Sequence, residues 1–397
     1  MTGIGRRKFL KTGIAGAGIV AISPEFLSSK AAASQDSRNI TCRPLGKTGL
    51  QVPVISFGVM RSDDSGLCKA AYDKGIRLFD TANVYLGGNS EIMLGKFFKD
   101  YPRNSFILAT KVKPGTDMSG KPTAQSTPEK FLETFNVSLS RLQMDYVDIL
   151  YIHDVSSPEI LEYKPVINTI KKLKKDGKIR YMGFSTHRNE AEVINFAASA
   201  DLWDVILTQY NYKLSYLAEL NASINKAAAA GIGIVAMKSL AGGGYLDRER
   251  TKPMNTTAAL KWVLSNPGVT TIIPGMTSFD QLELNAGILE SIALTDKEKN
   301  DLIADNSVPG LFCSGCRQCI ALCRKNLPVP ELMRAYMYAY GYAMPSMAKS
   351  LLTELGTKAD PCNGCDGCKI NCSRNFRIRD RITDISRLAD VPSDFLV

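Results

Sequence analysis

Several signals are missing from this chain, and each absence removes a class of protein. No Gly-x-Gly-x-x-Gly follows the first apolar run, so the usual dinucleotide turn of a doubly wound sheet is lacking. No basic run is interleaved with aromatic residues, so the formal charge of +10 is not the mark of a nucleic-acid binder. Much of that charge sits in residues 1–33, which hold Arg6, Arg7, Lys8, Lys11 and Lys30 against the single acid Glu25; the remainder carries +6, an ordinary solvated surface. The weakly apolar run Ile14 to Ile22 is too short to span a bilayer, so no mature transmembrane helix is expected. Histidine is scarce, at two residues, and one of them, His153, ends an otherwise apolar run, which argues against an idle surface position.

What is present suits a large domain with an appendage: 397 residues with 45% hydrophobic content. Gly5-Arg6-Arg7-Lys8-Phe9-Leu10-Lys11, the short apolar run, Pro24 and Ala31-Ala32-Ala33 read as a signal peptide over residues 1–33. The paired arginines resemble the twin-arginine export signal, whose machinery carries folded proteins. The expected location is therefore periplasmic or otherwise extracytoplasmic. An anchor that is never cleaved stays open as the alternative.

From residue 41 to 306 strands and helices alternate. Apolar runs at Val54–Val59, Ile76–Phe79, Phe106–Val112, Tyr146–Ile152, Tyr181–Phe184, Val205–Gln209, Ile232–Met237 and Thr270–Ile273 predict eight strands. The stretch Thr127–Leu142 predicts a helix, with Thr127 as cap, Pro128 in the first turn, and Phe131, Phe135, Leu139 and Leu142 on one face. Eight strand–helix units in this length predict a (β/α)8 TIM barrel, whose chemistry sits at the C-terminal ends of the strands. Those ends offer Asp80, Tyr85, Lys111 and His153. An ammonium beside a phenol favours the phenolate and lowers the tyrosine pKa, making Tyr85 a proton donor to a carbonyl oxygen. Asp80 would hold Lys111 charged, and His153 would orient the carbonyl.

Phe79-Asp80-Thr81-Ala82-Asn83-Val84-Tyr85, Ala109-Thr110-Lys111 and Tyr151-Ile152-His153 resemble the Asp–Tyr–Lys–His tetrad of the aldo/keto reductases. Arg43 to Val52 looks like the hairpin that closes the bottom of that barrel. The resemblance covers about residues 41–290 and implies hydride transfer between NAD(P)(H) and a carbonyl or sugar-like alcohol, with Tyr85 as general acid. It also implies cofactor contacts. Ser185, followed here by Thr186 where the family has Asn, and Gln209 match carboxamide ligands, while Tyr210 matches the ring that stacks on nicotinamide. Lys238, Ser239, Leu240 and Gly242 look like the pyrophosphate loop. Gly275 and Gln281 stand where the family usually has Lys-Ser and Arg on the 2′-phosphate, with Asn285 closing the segment, so the expected preference for NADPH is weakened in favour of NADH.

Residues 307–397 form the appendage. Cys313-x2-Cys316-x2-Cys319-x3-Cys323 and Cys362-x2-Cys365-x2-Cys368-x3-Cys372 repeat one spacing. Close, regular thiolates suit two [4Fe–4S] clusters. The run resembles that of bacterial ferredoxins, and this implies that Cys372 joins Cys313, Cys316 and Cys319 while Cys323 joins Cys362, Cys365 and Cys368. Arg324 and Ser373 replace the usual Pro, and Glu331–Tyr342 and Ser346–Leu355 look helical, so a small, mainly helical ferredoxin-like domain is expected. Zinc and disulfides are the alternatives. Cys42 and Cys68 are expected only to pack.

Together these features predict an exported oxidoreductase joined to a redox partner protein through its clusters. The alternative is an iron–sulfur electron-transfer or binding protein that keeps the barrel as a non-catalytic scaffold.

Overall fold

The computed structural model describes residues 40–241, 253–307, 312–365 and 367–396. The proposed signal at residues 1–33 lies outside the described residues. No helix among the described residues is long and apolar enough to cross a membrane.

The chain enters through an antiparallel hairpin, β1 (Cys42–Pro44) and β2 (Gln51–Pro53). Eight parallel strands follow: β3 (Phe57–Gly58), β4 (Leu78–Asp80), β5 (Ile107–Val112), β6 (Val147–Val155), β7 (Ile179–Thr186), β8 (Val205–Gln209), β9 (Gly233–Met237) and β10 (Thr271–Ile272). They lie in sequence order from β3 to β10. Parallel bridges Ile55–Ile272 and Gly58–Gly275 bring the last strand back to the first, which curls the sheet into the expected (β/α)8 barrel. Each predicted run contains or overlaps an observed strand. The run at Val54–Val59 shrinks to two paired residues because Val54 and Ser56 bond to Ile272 across the closure instead.

The strands are mostly apolar because both faces are covered. Their outer faces meet the helices; their inner faces, with Leu78, Ile107, Ala109, Ile149, Tyr151, Val205, Leu207 and Val235, fill the barrel. Leu45 and Val52 of the hairpin plug the bottom, and Arg43 fastens the hairpin by donating to Val269 O at 2.6 Å and Leu264 O at 2.8 Å. The helix Pro128–Leu142 is capped by the Thr127 hydroxyl, which accepts from Lys130 N. Cys68 is buried against Met93, but Cys42 is exposed, so its expected packing role is corrected: it sits on a hairpin strand outside the core.

The C-terminal segment is mainly helical, with helices Val329–Tyr336, Pro345–Glu354 and Ile378–Ser386 and a π-helical turn at Met337–Gly341. It belongs to the same compact unit as the barrel. Four of its polar anchors land beyond strand C-terminal ends: Glu354 on Lys113 (2.7 Å), Arg334 on His187 Nδ1 (2.6 Å), Arg317 on Asn189 (2.8 Å) and Ser314 O on Ser215 N (3.2 Å). The segment therefore roofs the mouth where barrel chemistry is located.

Gly183 on β7 lets the Tyr151 ring occupy the barrel interior. A Cβ there would stand 2.7 Å from that ring and 2.5 Å from Val205 O on the next strand. Gly183→Ala is expected to cost about 1–3 kcal/mol by overpacking, read from chemical denaturation; a variant as stable as the parent would contradict this account of the interior.

Candidate active site

The deepest polar feature of the mouth is an ion pair. Lys111, fully buried on β5, donates through Nζ to Asp80 Oδ1 on β4 and to Thr81 O at 2.6 Å. Register explains the meeting, since β4 pairs Asp80 with Ala109, two residues short of Lys111 on the same face. Burial pushes the Asp80 carboxyl up and the Lys111 ammonium down, while their contact opposes both shifts. The ammonium also lies over the Tyr85 ring, 4.7 Å from its centroid. His153, at the end of β6, faces that ring edge-on with centroids 6.0 Å apart. The four tetrad residues are thus brought together.

One expected electrostatic effect is corrected. The Lys111 charge sits over the ring and is already held by Asp80 and Thr81 O. Burial, with Asp80 and Asp154, holds the Tyr85 phenol well above its ordinary value of 10.0. The phenol rests protonated. Burial and Lys111 lower the His153 pKa to about 3, so its imidazole is neutral. Its Nδ1 has no hydrogen-bond partner among the described residues.

Tyr85 and Asp80 open into a cleft of about 720 Å³, counting space open to solvent, lined also by Lys238, Ser239, Leu240 and Gly275. Sequence reasoning did not find two of its walls. Arg61 follows β3, and its Cδ stands 3.9 Å from where a Gly275 Cβ would be. Tyr342 comes from the C-terminal segment, and its ring carries the Arg61 guanidinium at 5.2 Å. Nothing local to either residue marks it, because the long-range fold makes the contact.

The other expected cofactor residues divide. Ser185 is buried and its Oγ accepts from Asp154 N at 3.0 Å. Gln209 donates to Glu190 and, at 2.8 Å, to the Tyr216 hydroxyl. Tyr210 is not brought to the mouth: alternation along the strand turns it outward, where its ring lies 5.1 Å from Trp262 and its hydroxyl reaches Asn221. Gln281 accepts from Thr277 N at 2.8 Å, and Asn285 is buried in helix Phe279–Ala286; neither lines the cleft. Gly242 lies outside the described residues.

A charge cluster missed by sequence reasoning surrounds Asp154, the residue after His153. Its carboxylate meets His187 Nε2 at 3.1 Å, Arg188 at 3.2 Å and Lys113 at 3.1 Å. His187, Arg188 and Lys113 hold it well below the ordinary carboxylate value despite burial. The signal available was His187, the second of only two histidines.

The eight cysteines of the repeat fall into two sets. Burial raises the Cys313 thiol to about 12, with contributions from Cys319, Cys372 and Cys316, and Cys316 Sγ lies 3.4 Å from the hydroxyl of Ser373. A separate cavity is lined by Cys323, Cys362, Cys365 and Cys368. Among the described residues no three His, Cys, Asp or Glu side chains are arranged to hold a single metal ion. A cubane asks for a wider set of four thiolates, and the donor chemistry of each set suits one.

The sequence profile of the aldo/keto reductase family matches residues 58–258. The L-galactose dehydrogenase of Arabidopsis thaliana is 29% identical over 67% of this chain and 94% of its own length. A probable aldo-keto reductase of Glycine max is 26% identical over 65% of this chain and 86% of its own. Among solved structures, an aldo-keto reductase of Bacillus halodurans in its holo form superposes with a TM-score of 0.56 at 25% identity, covering 67% of this chain and 96% of that one. With barrel, matched segment and relatives in agreement, the chain belongs to the aldo/keto reductase family and is an NAD(P)-dependent oxidoreductase.

Proposed function

We propose that this protein is an exported aldo/keto reductase that interconverts a carbonyl and an alcohol, with Tyr85 as general acid and two [4Fe–4S] clusters linking it to a redox partner protein. The observation that carries the catalytic part is the buried Lys111–Asp80 pair beneath the protonated Tyr85 phenol at the wall of an apolar cleft. The nicotinamide supplies or accepts hydride at the reacting carbon. The chain's residues handle the proton and the position. Tyr85 gives its proton to the carbonyl oxygen, Lys111 and Asp80 fix the phenol's surroundings, and neutral His153 hydrogen-bonds that oxygen. Lys238, Ser239, Leu240 and Gly275 would hold the nucleotide. The name of the Arabidopsis relative favours a sugar-like alcohol as the substrate class.

The second reading, a barrel kept as a scaffold for electron transfer or binding, draws on the outward turn of Tyr210 and on the engagement of Gln209 with Glu190 and Tyr216. One series separates the readings. Tyr85→Phe is expected to lower kcat for carbonyl reduction by about 10²–10⁴-fold with iron content unchanged. At saturating nucleotide, where the ionisation of Lys238 does not enter, the parent's reduction rate should stay level from about pH 5 to about pH 9, because the acid form of Tyr85 persists and His153 stays neutral. Full activity in the phenylalanine variant would remove Tyr85 as the proton source, a parent without carbonyl reduction would leave the scaffold reading standing, and an alkaline fall inside that range would contradict the raised phenol.

Cys313, Cys316, Cys319 and Cys372 would hold one cluster and Cys323, Cys362, Cys365 and Cys368 the other; each supplies single-electron transfer when bound. Anaerobic iron analysis should give about eight irons per chain. Cys372→Ser and Cys313→Ser should then perturb one and the same cluster by paramagnetic resonance, and Cys323→Ser the other. Coupling of Cys372 to the Cys323 set would refute the crossed grouping.

Export rests on Arg6 and Arg7, which resemble the twin-arginine pair. Replacing both with lysine should leave the chain in the cytoplasm by fractionation; unchanged export would end this part of the proposal.

A further inference from the structure

A second cavity, of about 590 Å³ counting open space, lies between the barrel mouth and the C-terminal segment, with Gln209 on one wall and Cys313 on another. Its charges do not balance. Arg188, Arg317, Arg334 and Lys238 line it, against Glu190 and Glu331, beside His187, whose pKa burial lowers well below its ordinary value. Asp154 stands behind, paired with His187, Arg188 and Lys113. Burial raises the Glu190 carboxyl, and the hydrogen bonds it accepts from Gln209 and Tyr216 oppose that shift.

Arg188 also pairs with Asp154 and Arg317 with Asn189, yet two of the guanidinium groups keep an unmet donor. Arg334 donates to His187, and the Nε atoms of both Arg334 and Arg188 are buried with no hydrogen-bond partner among the described residues. Burial and the nearby Arg334 bring Lys238 down to about 7 against the opposing pull of Asp154 and Glu190. Phe312, Met333 and Met337 supply apolar wall beside these charges.

We propose that this cavity binds an aromatic anion, a flat apolar body carrying a phosphate or carboxylate group, with Arg188, Arg317 and Arg334 on the anion and Phe312, Met333 and Met337 on the body. Such a ligand fits the general pattern of an apolar pocket with a few convergent charges. The inference stands apart from the catalytic role of Tyr85. A phosphate here has two sources, a ligand of its own or the nicotinamide nucleotide reaching over from the first cleft, and Lys238 lines both cavities.

The test uses the full iron-loaded chain under anaerobic conditions, because a cluster on Cys313 would add negative charge to one wall. Flavin mononucleotide is the probe, read by fluorescence quenching, with riboflavin as the body without the anion. Flavin mononucleotide should bind at least about ten times more tightly than riboflavin, and saturating NADH should not displace it. Arg334→Met and the more exposed Arg317→Ser should each weaken it by about tenfold; the second keeps the test usable if the first disturbs packing. Equal binding of the two probes, no binding of either, competitive displacement by NADH, or parental affinity in Arg317→Ser would each overturn the proposal.

Discussion

An ammonium ion buried in the mouth of a barrel is tolerated only if its charge and its N–H groups are met, because an unpaired buried charge is among the costliest features a fold can carry. Lys111 is in that position, and much of the site follows from it. Asp80 must end the neighbouring strand in register, Thr81 must offer its carbonyl, and Tyr85 must lie across the ammonium. The low polarity that makes the pair demanding also keeps the phenol protonated and the imidazole neutral. Desolvation thus both imposes the ion pair and sets the protonation states around it.

The same mouth is covered by the C-terminal segment, and the cover is held by charge as well as by apolar packing. Asp154 directly follows His153 and gathers Lys113, His187 and Arg188; Lys113 and His187 in turn reach Glu354 and Arg334. Roof and tetrad are therefore joined over a few side chains. The residues that carry the cysteine repeat and those that shape the cleft beside Tyr85 are parts of one packed body.

The barrel was legible because buried parallel strands leave continuous apolar runs, and because Thr127 and Pro128 announce a helix start in the residue types themselves. Asp80, Tyr85, Lys111 and His153 were legible because each sits where such a run ends. Arg61 and Tyr342 were not, since they become neighbours only when the tail folds back over the mouth. Tyr210 shows a different limit. Its place next to Gln209 in the sequence suggests a shared role, yet adjacent strand residues face opposite ways, and Tyr210 belongs to the helical layer. The effect of Lys111 on Tyr85 was misjudged because composition says nothing of how deeply a pair is desolvated.

The π-helical turn at Met337–Gly341 adds a degree of independence to the roof. It follows directly on the helix Val329–Tyr336, which carries Arg334, and precedes Tyr342. Each residue of an α-helix turns the chain by about 100°, so the wide turn acts as a phase shift between the anchor upstream and the ring downstream. Loss of one residue there would swing Tyr342 away from the cleft while Arg334 kept its grip on His187. The shape of the cleft beside Tyr85 can in this way change without the tail coming loose from the barrel.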